Sequence, residues 1–287
     1  MPEKRKVDTD LSALQQENQS WWTRNTMSYD WSEKLKVERF SKAWFDQIDA
    51  RFVHASRLFA TDTQPFDRVI PFHALAGKRV LEIGCGMGLH SELMARAGAI
   101  VSAVDISPTS IEATQLRFSL KGLKIDIAQA DAQNLSFDDD SFDFVWSWGV
   151  IHHSAKTAKV VREISRVTKA NGECRIMVYN RNGIWTTIAY LKEHLLKGKF
   201  LHQDFDSTLL ASSDGFHARF YTPDQFADLF YAFFNTVSTR IFGQESDAIP
   251  LPRRLRPIAM KVASEDWLRK RQSIAGYFLF LQASDPY

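Results

Sequence analysis

The sequence predicts an α/β fold, built on a doubly wound and mostly parallel seven-stranded sheet with an antiparallel edge. Three observations carry that expectation. Short apolar runs alternate with helical stretches from Lys78 to Tyr179, the rhythm of strand–helix–strand units. A glycine-rich turn, Gly84-Cys85-Gly86-Met87-Gly88, joins the first run to the first helix. Glu82, Asp105 and Asp131 stand at the ends of three successive runs.

Residues 11–76 carry helical signals, with Leu35, Phe40, Trp44, Phe45, Ile48 and Phe52 near helical spacing and charges between them. They are read as an N-terminal helical cap (1–76), preceding a larger unit (77–287). Lys78–Ile83 reads as a buried strand and Leu89–Ala97 as a helix stopped by Gly98. Ile100–Asp105 is the second strand. Pro108 opens a helix that Gly122 closes. Ile125–Ala130 and Phe142–Trp148 are the third and fourth strands, Lys156–Lys169 a helix, and Cys174–Tyr179 the fifth strand. Two insertions follow, at about 181–220 and 244–275; in the first, Ile184–Leu196 reads as helical and His202–Gly215 as loop. Between the insertions, Asp224–Phe234 is a helix and Thr236–Phe242 a strand; Tyr277–Gln282 is the last strand. The two late strands suit an antiparallel edge.

Composition narrows the classes. Lys plus Arg is 36 against 34 Asp plus Glu, a formal +2, so a polyanion-binding chain is not the default and nucleic acid is an unlikely partner. Cys85 and Cys174 are the only cysteines; neither a disulfide scaffold nor a CxxC site is available, and a cytoplasmic setting is the simplest reading. No run approaches the ~18 apolar residues of a spanning helix, and Met1–Asp10 is too polar for a signal peptide. The 21 Phe, 8 Trp and 7 Tyr point to a large core or an aromatic-lined pocket.

The turn has GxGxG spacing. A dinucleotide fingerprint needs a further glycine where this chain has Leu89, which speaks against a nicotinamide oxidoreductase. Asp105 lies 17 residues after Gly88 at a strand end, where a carboxylate can accept both ribose hydroxyls. Asp131 ends the next strand and can accept from an adenine amino group. Glu82 directs a third carboxylate at the same crevice.

The segments VLEIGCGMG (80–88), VDIS (104–107), ADAQNLSFDDDSFDFVWSWGVIHH (130–153) and VREISRVTKANGECRIMVYN (161–180) together resemble the class I S-adenosylmethionine-dependent methyltransferases. The similarity is greatest to the small-molecule, ubiquinone-biosynthesis-like branch. It implies a Rossmann-like methyltransferase fold, S-adenosylmethionine as cofactor, S-adenosylhomocysteine as product, and a small-molecule methyl acceptor. By that resemblance Gly84, Cys85, Gly86 and Gly88 pass under the methionine part, with Glu82 beside them. Asp105 holds the ribose, Ile106 packs on the adenine, and Asp131 with Ala132 meets the adenine edge. Trp148 faces the sulfonium. A sulfonium methyl is already electrophilic, so the protein is expected to supply alignment and a deprotonated nucleophile.

For the acceptor side the residues are less specific. His152 and His153 follow the fourth strand and could act as general base, or equally cap a helix or fill the core. Adjacent histidines rarely converge on one ion, so no metal is expected. Tyr29, in the aromatic stretch 21–31, could cap the ligands or merely pack. Tyr179 ends the fifth strand with Asn180. His217, Arg219 and Tyr221 alternate, which puts them on one side of an extended segment, where they could meet substrate; Thr222 caps the helix that Pro223 starts. Residues 250–271 carry a local +5, which could attract an anion or a membrane surface, or be a solvated basic helix. The expected activity is methyl transfer to an oxygen or nitrogen of a small organic molecule. A nucleic-acid or protein methyltransferase, a nicotinamide enzyme and a cofactor-binding protein without turnover are its rivals.

Overall fold

β1 (Arg79–Ile83) is the strand on which the sheet is laid. In the computed structural model, which describes residues 11–28, 35–61, 64–211, 213, 216–251 and 254–287, β1 pairs in parallel with β2 (Ile100–Asp105) on one side and β4 (Phe142–Trp148) on the other. β3 (Asp126–Gln129) extends the β2 side and β5 (Thr168–Asn180) the β4 side, both parallel. β8 (Phe278–Pro286) then pairs antiparallel with β5, and β7 (Phe234–Phe242) antiparallel with β8. The order is β3-β2-β1-β4-β5-β8-β7. This main path has the seven strands and the antiparallel edge that the sequence predicts. A two-residue strand, β6 (Phe220–Tyr221), adds an eighth beside β5.

Helices cover both faces, because a parallel sheet must bury both. α3 (Leu89–Arg96) follows the glycine turn. α4 (Pro108–Lys121) starts where Ser107 Oγ accepts the Ser110 N–H, and ends at Gly122 in the left-handed region. α5 (Thr157–Val167) precedes β5. On the β1–β4 ribbon, Leu81, Ile83 and Val145 enter one core with α5, while Val80, Phe144 and Trp146 enter the other. The second core is rich in aromatic residues: Phe52, Phe59, Phe66, Phe72, Phe242 and Phe280 all pack there.

Several boundaries differ from the sequence reading. Of the N-terminal helices, α1 is Leu11–Arg24 and α2 is Lys42–Ala55. The helical spacing read from Leu35 begins seven residues early, because Phe40 takes a left-handed backbone (φ 66°) and Ser41 caps α2. β5 starts at Thr168 rather than Cys174, absorbing Asn171-Gly172 as an irregularity in its pairing with β4. Ile184–Leu196 is helical in two parts, α6 (Ile184–Ala189) and a π-helical turn over Tyr190–Leu196. The loop expected over His202–Gly215 contains α7 (Phe205–Leu210), capped by Asp204. After α8 (Pro223–Tyr231), whose capping box uses Thr222 and Gln225, the second insertion folds as α9 (Glu245–Ala248), α10 (Arg256–Met260) and α11 (Glu265–Ala275).

α2 is fastened by a buried charge cluster as well as by its apolar face. Arg117 of α4 is fully buried and pairs with both oxygens of Asp49 on α2 (2.6 and 2.9 Å) and with Glu92 on α3 (2.7 Å). Its guanidinium also lies over Phe45, 4.7 Å from the ring centre. In an Arg117→Met variant Asp49 loses its paired cation, and Glu92 keeps only Arg96 on its other oxygen. The variant is expected to lower the unfolding free energy by about 3–5 kcal/mol, measured by denaturant titration; an unchanged midpoint would show the cluster to be dispensable.

Candidate active site

The sheet order reverses between β1 and β4, and a crevice opens there at the carboxyl ends of the strands. It holds a cavity of about 510 Å³. All ten residues expected to meet the cofactor line it, from Glu82 to Trp148. The glycine turn shows why its glycines are needed. A Cβ on Gly84 would come 2.2 Å from Val150 Cγ2, and one on Gly88 2.9 Å from Thr114, both at φ 79°. Gly86 is different: nothing lies within 4 Å of its missing Cβ, so this part of the turn is open to a ligand.

The carboxylates are held in place by short local bonds. Asp105 accepts from the Gly86 N–H (2.9 Å) and the Ser107 N–H (2.8 Å). Burial nevertheless pushes its pKa up to about 6, with Glu82 adding like charge. Glu82 is buried; it accepts from the Ser91 hydroxyl, and its second oxygen is 3.6 Å from His90 Nδ1. Asp131 accepts from the Gln133 N–H (2.9 Å). Cys85 is buried with its thiol pKa driven well up by desolvation, which leaves it inert.

α1 lies across this crevice like a strap. Gln15 donates to Asp131 Oδ1 (3.1 Å) and accepts from the Ala155 N–H (3.0 Å). Gln19 donates to the Ile106 carbonyl (3.1 Å), and Thr109 donates to the Thr23 carbonyl (3.2 Å). Asn18 is buried in the cavity wall, and its Oδ1 has no hydrogen-bond partner. None of these residues was singled out by sequence. The available signal was the i, i+3, i+4, i+7 stripe of Gln15, Asn18, Gln19 and Trp22, polar where an ordinary amphipathic helix is apolar.

His153 lines the cavity; His152 does not. His153 Nδ1 is 2.5 Å from the His217 carbonyl oxygen. A carbonyl only accepts, so Nδ1 carries the proton and the lone pair is on Nε2. His152 is fully buried behind it, 4.1 Å from the Tyr179 ring, and desolvation holds its pKa well below 6.5. It packs as a neutral core residue, which removes it from the candidate bases. Tyr179 lines the cavity. His217, Arg219 and Tyr221 do not. The alternation does put Arg219 and Tyr221 on one side, but that side is the turn before α5. Arg219 donates to the Ser154 (2.5 Å) and Ala155 (2.9 Å) carbonyls, and Tyr221 to Thr157 Oγ1 (3.1 Å). Arg219 and Tyr221 thus hold the 151–157 turn with their side chains, and His217 contributes its backbone carbonyl to His153. Asn180 is likewise spent on the Gly276 carbonyl (2.8 Å). Tyr29 lies outside the described residues. From the basic stretch 250–271, Arg269 bonds Glu265 and the Ala60 carbonyl, and no described residue of that stretch lines the cavity. Among the described residues no helix is long and apolar enough to cross a membrane, and no group of three His, Cys, Asp or Glu could hold a metal ion.

Comparison with known proteins agrees with this geometry. Residues 81–176 match the family described as a methyltransferase domain. A ubiquinone biosynthesis O-methyltransferase of Stutzerimonas stutzeri (strain A1501) is 30% identical over 154 residues, 53% of this chain and 65% of that one. The enzyme of the same name from Xanthomonas euvesicatoria pv. vesicatoria (strain 85-10) is 31% identical over 137 residues, 46% of this chain and 57% of that one. The match thus spans less than two thirds of either relative. Among solved structures, a Haemonchus contortus phosphoethanolamine N-methyltransferase 2, in complex with phosphomonomethylethanolamine and S-adenosylhomocysteine, superposes with a TM-score of 0.53 at 18% identity. The match covers 88% of this chain and 61% of that one. Residues 81–176 are therefore similar to a methyltransferase domain, as the motifs predict, and a nicotinamide-enzyme reading is not favoured.

Arg219 is expected to matter through the turn it closes. Arg219→Ala leaves two carbonyls without their donor and should cost about 1–3 kcal/mol of stability. Arg219→Lys, lacking the planar fork, should not restore it. Thermal and denaturant unfolding of the pair checks this; a wild-type midpoint in both would refute it.

Proposed function

We propose that this chain, with its methyltransferase domain, transfers a methyl group from S-adenosylmethionine to an oxygen or nitrogen of a small organic acceptor. S-adenosylhomocysteine would be the product. The observation that carries the reading is Asp105: its carboxylate stands in the cavity wall, pinned by two backbone N–H groups, beside the open side of Gly86. The cavity volume lies within the range of about 300–1,000 Å³ usual for ligand sites. Its donor set suits a nucleoside that carries a cation: Asp105 for ribose hydroxyls, Asp131 for an amino group, Ile106 and Ala132 as apolar contacts, and Glu82 with Trp148 near positive charge. The relatives named as ubiquinone biosynthesis O-methyltransferases favour an oxygen acceptor. The same reading makes the enzyme cytoplasmic and its partner a small molecule rather than a nucleic acid.

When bound, the cofactor supplies an electrophilic methyl on a cationic sulfur. The chain's own work is placement and proton handling. α1 covers the crevice through Gln15 and Gln19 and excludes water from one side. Trp148, Phe52 and Phe278 give the remaining wall an aromatic character. His153 carries its lone pair on Nε2, enclosed beneath the cavity wall and fixed by the Nδ1–H bond to the His217 carbonyl; in this reading it is the group that takes the proton the acceptor loses.

Two tests follow from these roles. By calorimetry, S-adenosylmethionine and S-adenosylhomocysteine should bind while NAD does not. Asp105→Asn should weaken both by about 10–100-fold, the worth of hydrogen bonds to a charged group. The pH dependence has a definite sign. Because folding raises the Asp105 pKa, the stability this group contributes is fully present below its unfolded value of about 4 and is lost as pH rises through about 6. Ligand hydroxyls donate to the ionised form, so S-adenosylhomocysteine affinity should instead fall as pH drops through about 6, and Asp105→Asn should flatten that fall. Failure of both sulfur ligands to bind folded protein would sink the reading. Separately, once an acceptor is found, His153→Gln should lower kcat by about 10²–10⁴-fold with S-adenosylhomocysteine binding kept; an unchanged kcat would remove His153 as the base.

A further inference from the structure

We infer that the two insertions form a surface that docks on an anionic lipid bilayer. Most of the large apolar side chains that the described residues leave open to solvent lie in these insertions, 181–220 and 244–275. In the first, the usual amphipathic order is inverted. The π-helical turn Tyr190–Leu196 buries His194, whose Nδ1 meets Thr208 Oγ1 at 3.1 Å, and turns Leu191 and Leu196 outward. Leu196 is 83% exposed, and Phe200 and Leu201 follow at 53% and 69%. A helical segment whose outer face meets only water does the reverse. In the second insertion, Ile258 and Val262 are 67% and 88% exposed. On α11, Leu268 and Gln272 pack inward, while Trp267, Lys270 and Ile274 share the outer stripe at i, i+3 and i+7.

The topology brings both insertions to one edge. β8 is antiparallel to β5 and to β7, so β5 and β7 run the same way. Both insertions therefore leave the carboxyl edge of the sheet, where the crevice opens. They are tied there: Trp185 of the first donates its indole N–H to Asp247 of the second (2.8 Å). Exposed apolar surface of this kind marks a protein or a membrane contact, and charge decides which. Between Tyr190 and Leu201 stand Lys192, Lys197 and Lys199 against Glu193 alone. Lys197 and Lys199 share that carboxylate (2.8 and 3.2 Å), and Lys192 is exposed with no ion pair among the described residues. Lys261, also exposed, adjoins Val262. A second copy of this chain, docked face to face, would set these cations against themselves. Anionic headgroups pair with them instead, while the leucine and aromatic side chains enter the acyl boundary. The basic stretch 250–271 is thus neither a cavity wall nor simply solvated; it flanks the apolar contact.

The test floats the full chain with vesicles of phosphatidylcholine alone and of phosphatidylcholine mixed with phosphatidylglycerol. Binding to the mixed vesicles should be about tenfold or more tighter, and that preference should fade at about 0.5 M salt. Leu196→Ser/Phe200→Ser/Leu201→Ser and, separately, Ile258→Ser/Val262→Ser should each weaken binding about tenfold or more. Lys192→Gln and Lys261→Gln should each cost about fivefold on mixed vesicles and leave the weak binding to phosphatidylcholine unchanged. These side chains are exposed, so circular dichroism and the thermal midpoint should match wild type in every variant. No binding to mixed vesicles, equal binding to both kinds, or binding unmoved by either set of serine substitutions would overturn the inference. So would a wild-type dimer in analytical ultracentrifugation that the same substitutions dissociate, which would assign the surface to a second copy.

Discussion

Asp105 accepts hydrogen bonds from Gly86 and Ser107, and in doing so ties the turn after β1 to the turn after β2. The rest of the crevice depends on that tie. It fixes the open backbone at Gly86, sets the start of α4, and keeps a carboxylate facing the cavity at the cost of burying it. The same closeness recurs across the switch point, where Gly84 leaves room for Val150 and no other residue could. The floor of the cavity is therefore backbone, and what a ligand meets there is set by strand geometry more than by side-chain choice.

The cover is a different kind of structure. α1 and α2 precede the sheet in sequence; polar contacts join both to it, and α2 also packs Trp44, Phe45, Ile48 and Phe52 into apolar clusters with it. Gln15 and Gln19 bond groups beside Asp131 and Ile106, and Arg117 draws Asp49 of α2 against Glu92 of α3. A buried guanidinium with two carboxylates contributes little net stability compared with an apolar core, but it allows few alternative arrangements. Such a cluster suits a segment that must sit in one place over a site.

The aromatic residues serve two purposes at once. Many fill the core on one face of the sheet, where Phe59, Phe66 and Phe280 pack against Trp148 and Phe280 also against Trp146. Trp148, Phe52 and Phe278 stand at the boundary and also form the cavity wall. Core and pocket were alternatives in the composition; in the fold they are one continuous layer, because the strand that ends at Trp148 runs from the interior to the crevice.

What the sequence alone determined was everything governed by local pattern: the alternation of strands and helices, the glycine turn, the three strand-end carboxylates, and the Thr222 cap. Those signals are local because the physics is local, a φ above zero or a hydroxyl three residues before an N–H. Tertiary structure decided the rest. It separated His153 in the cavity from its neighbour His152 in the core. It set the Arg219 and Tyr221 side chains and the His217 carbonyl against the 151–157 turn, some 60 residues away in sequence. It brought Asn18, His90 and Gln15 to the cavity, although none belongs to a motif. Hydrogen bonds between distant segments leave no periodicity to read, and which face of a side chain meets water is known only once the partner segment has packed.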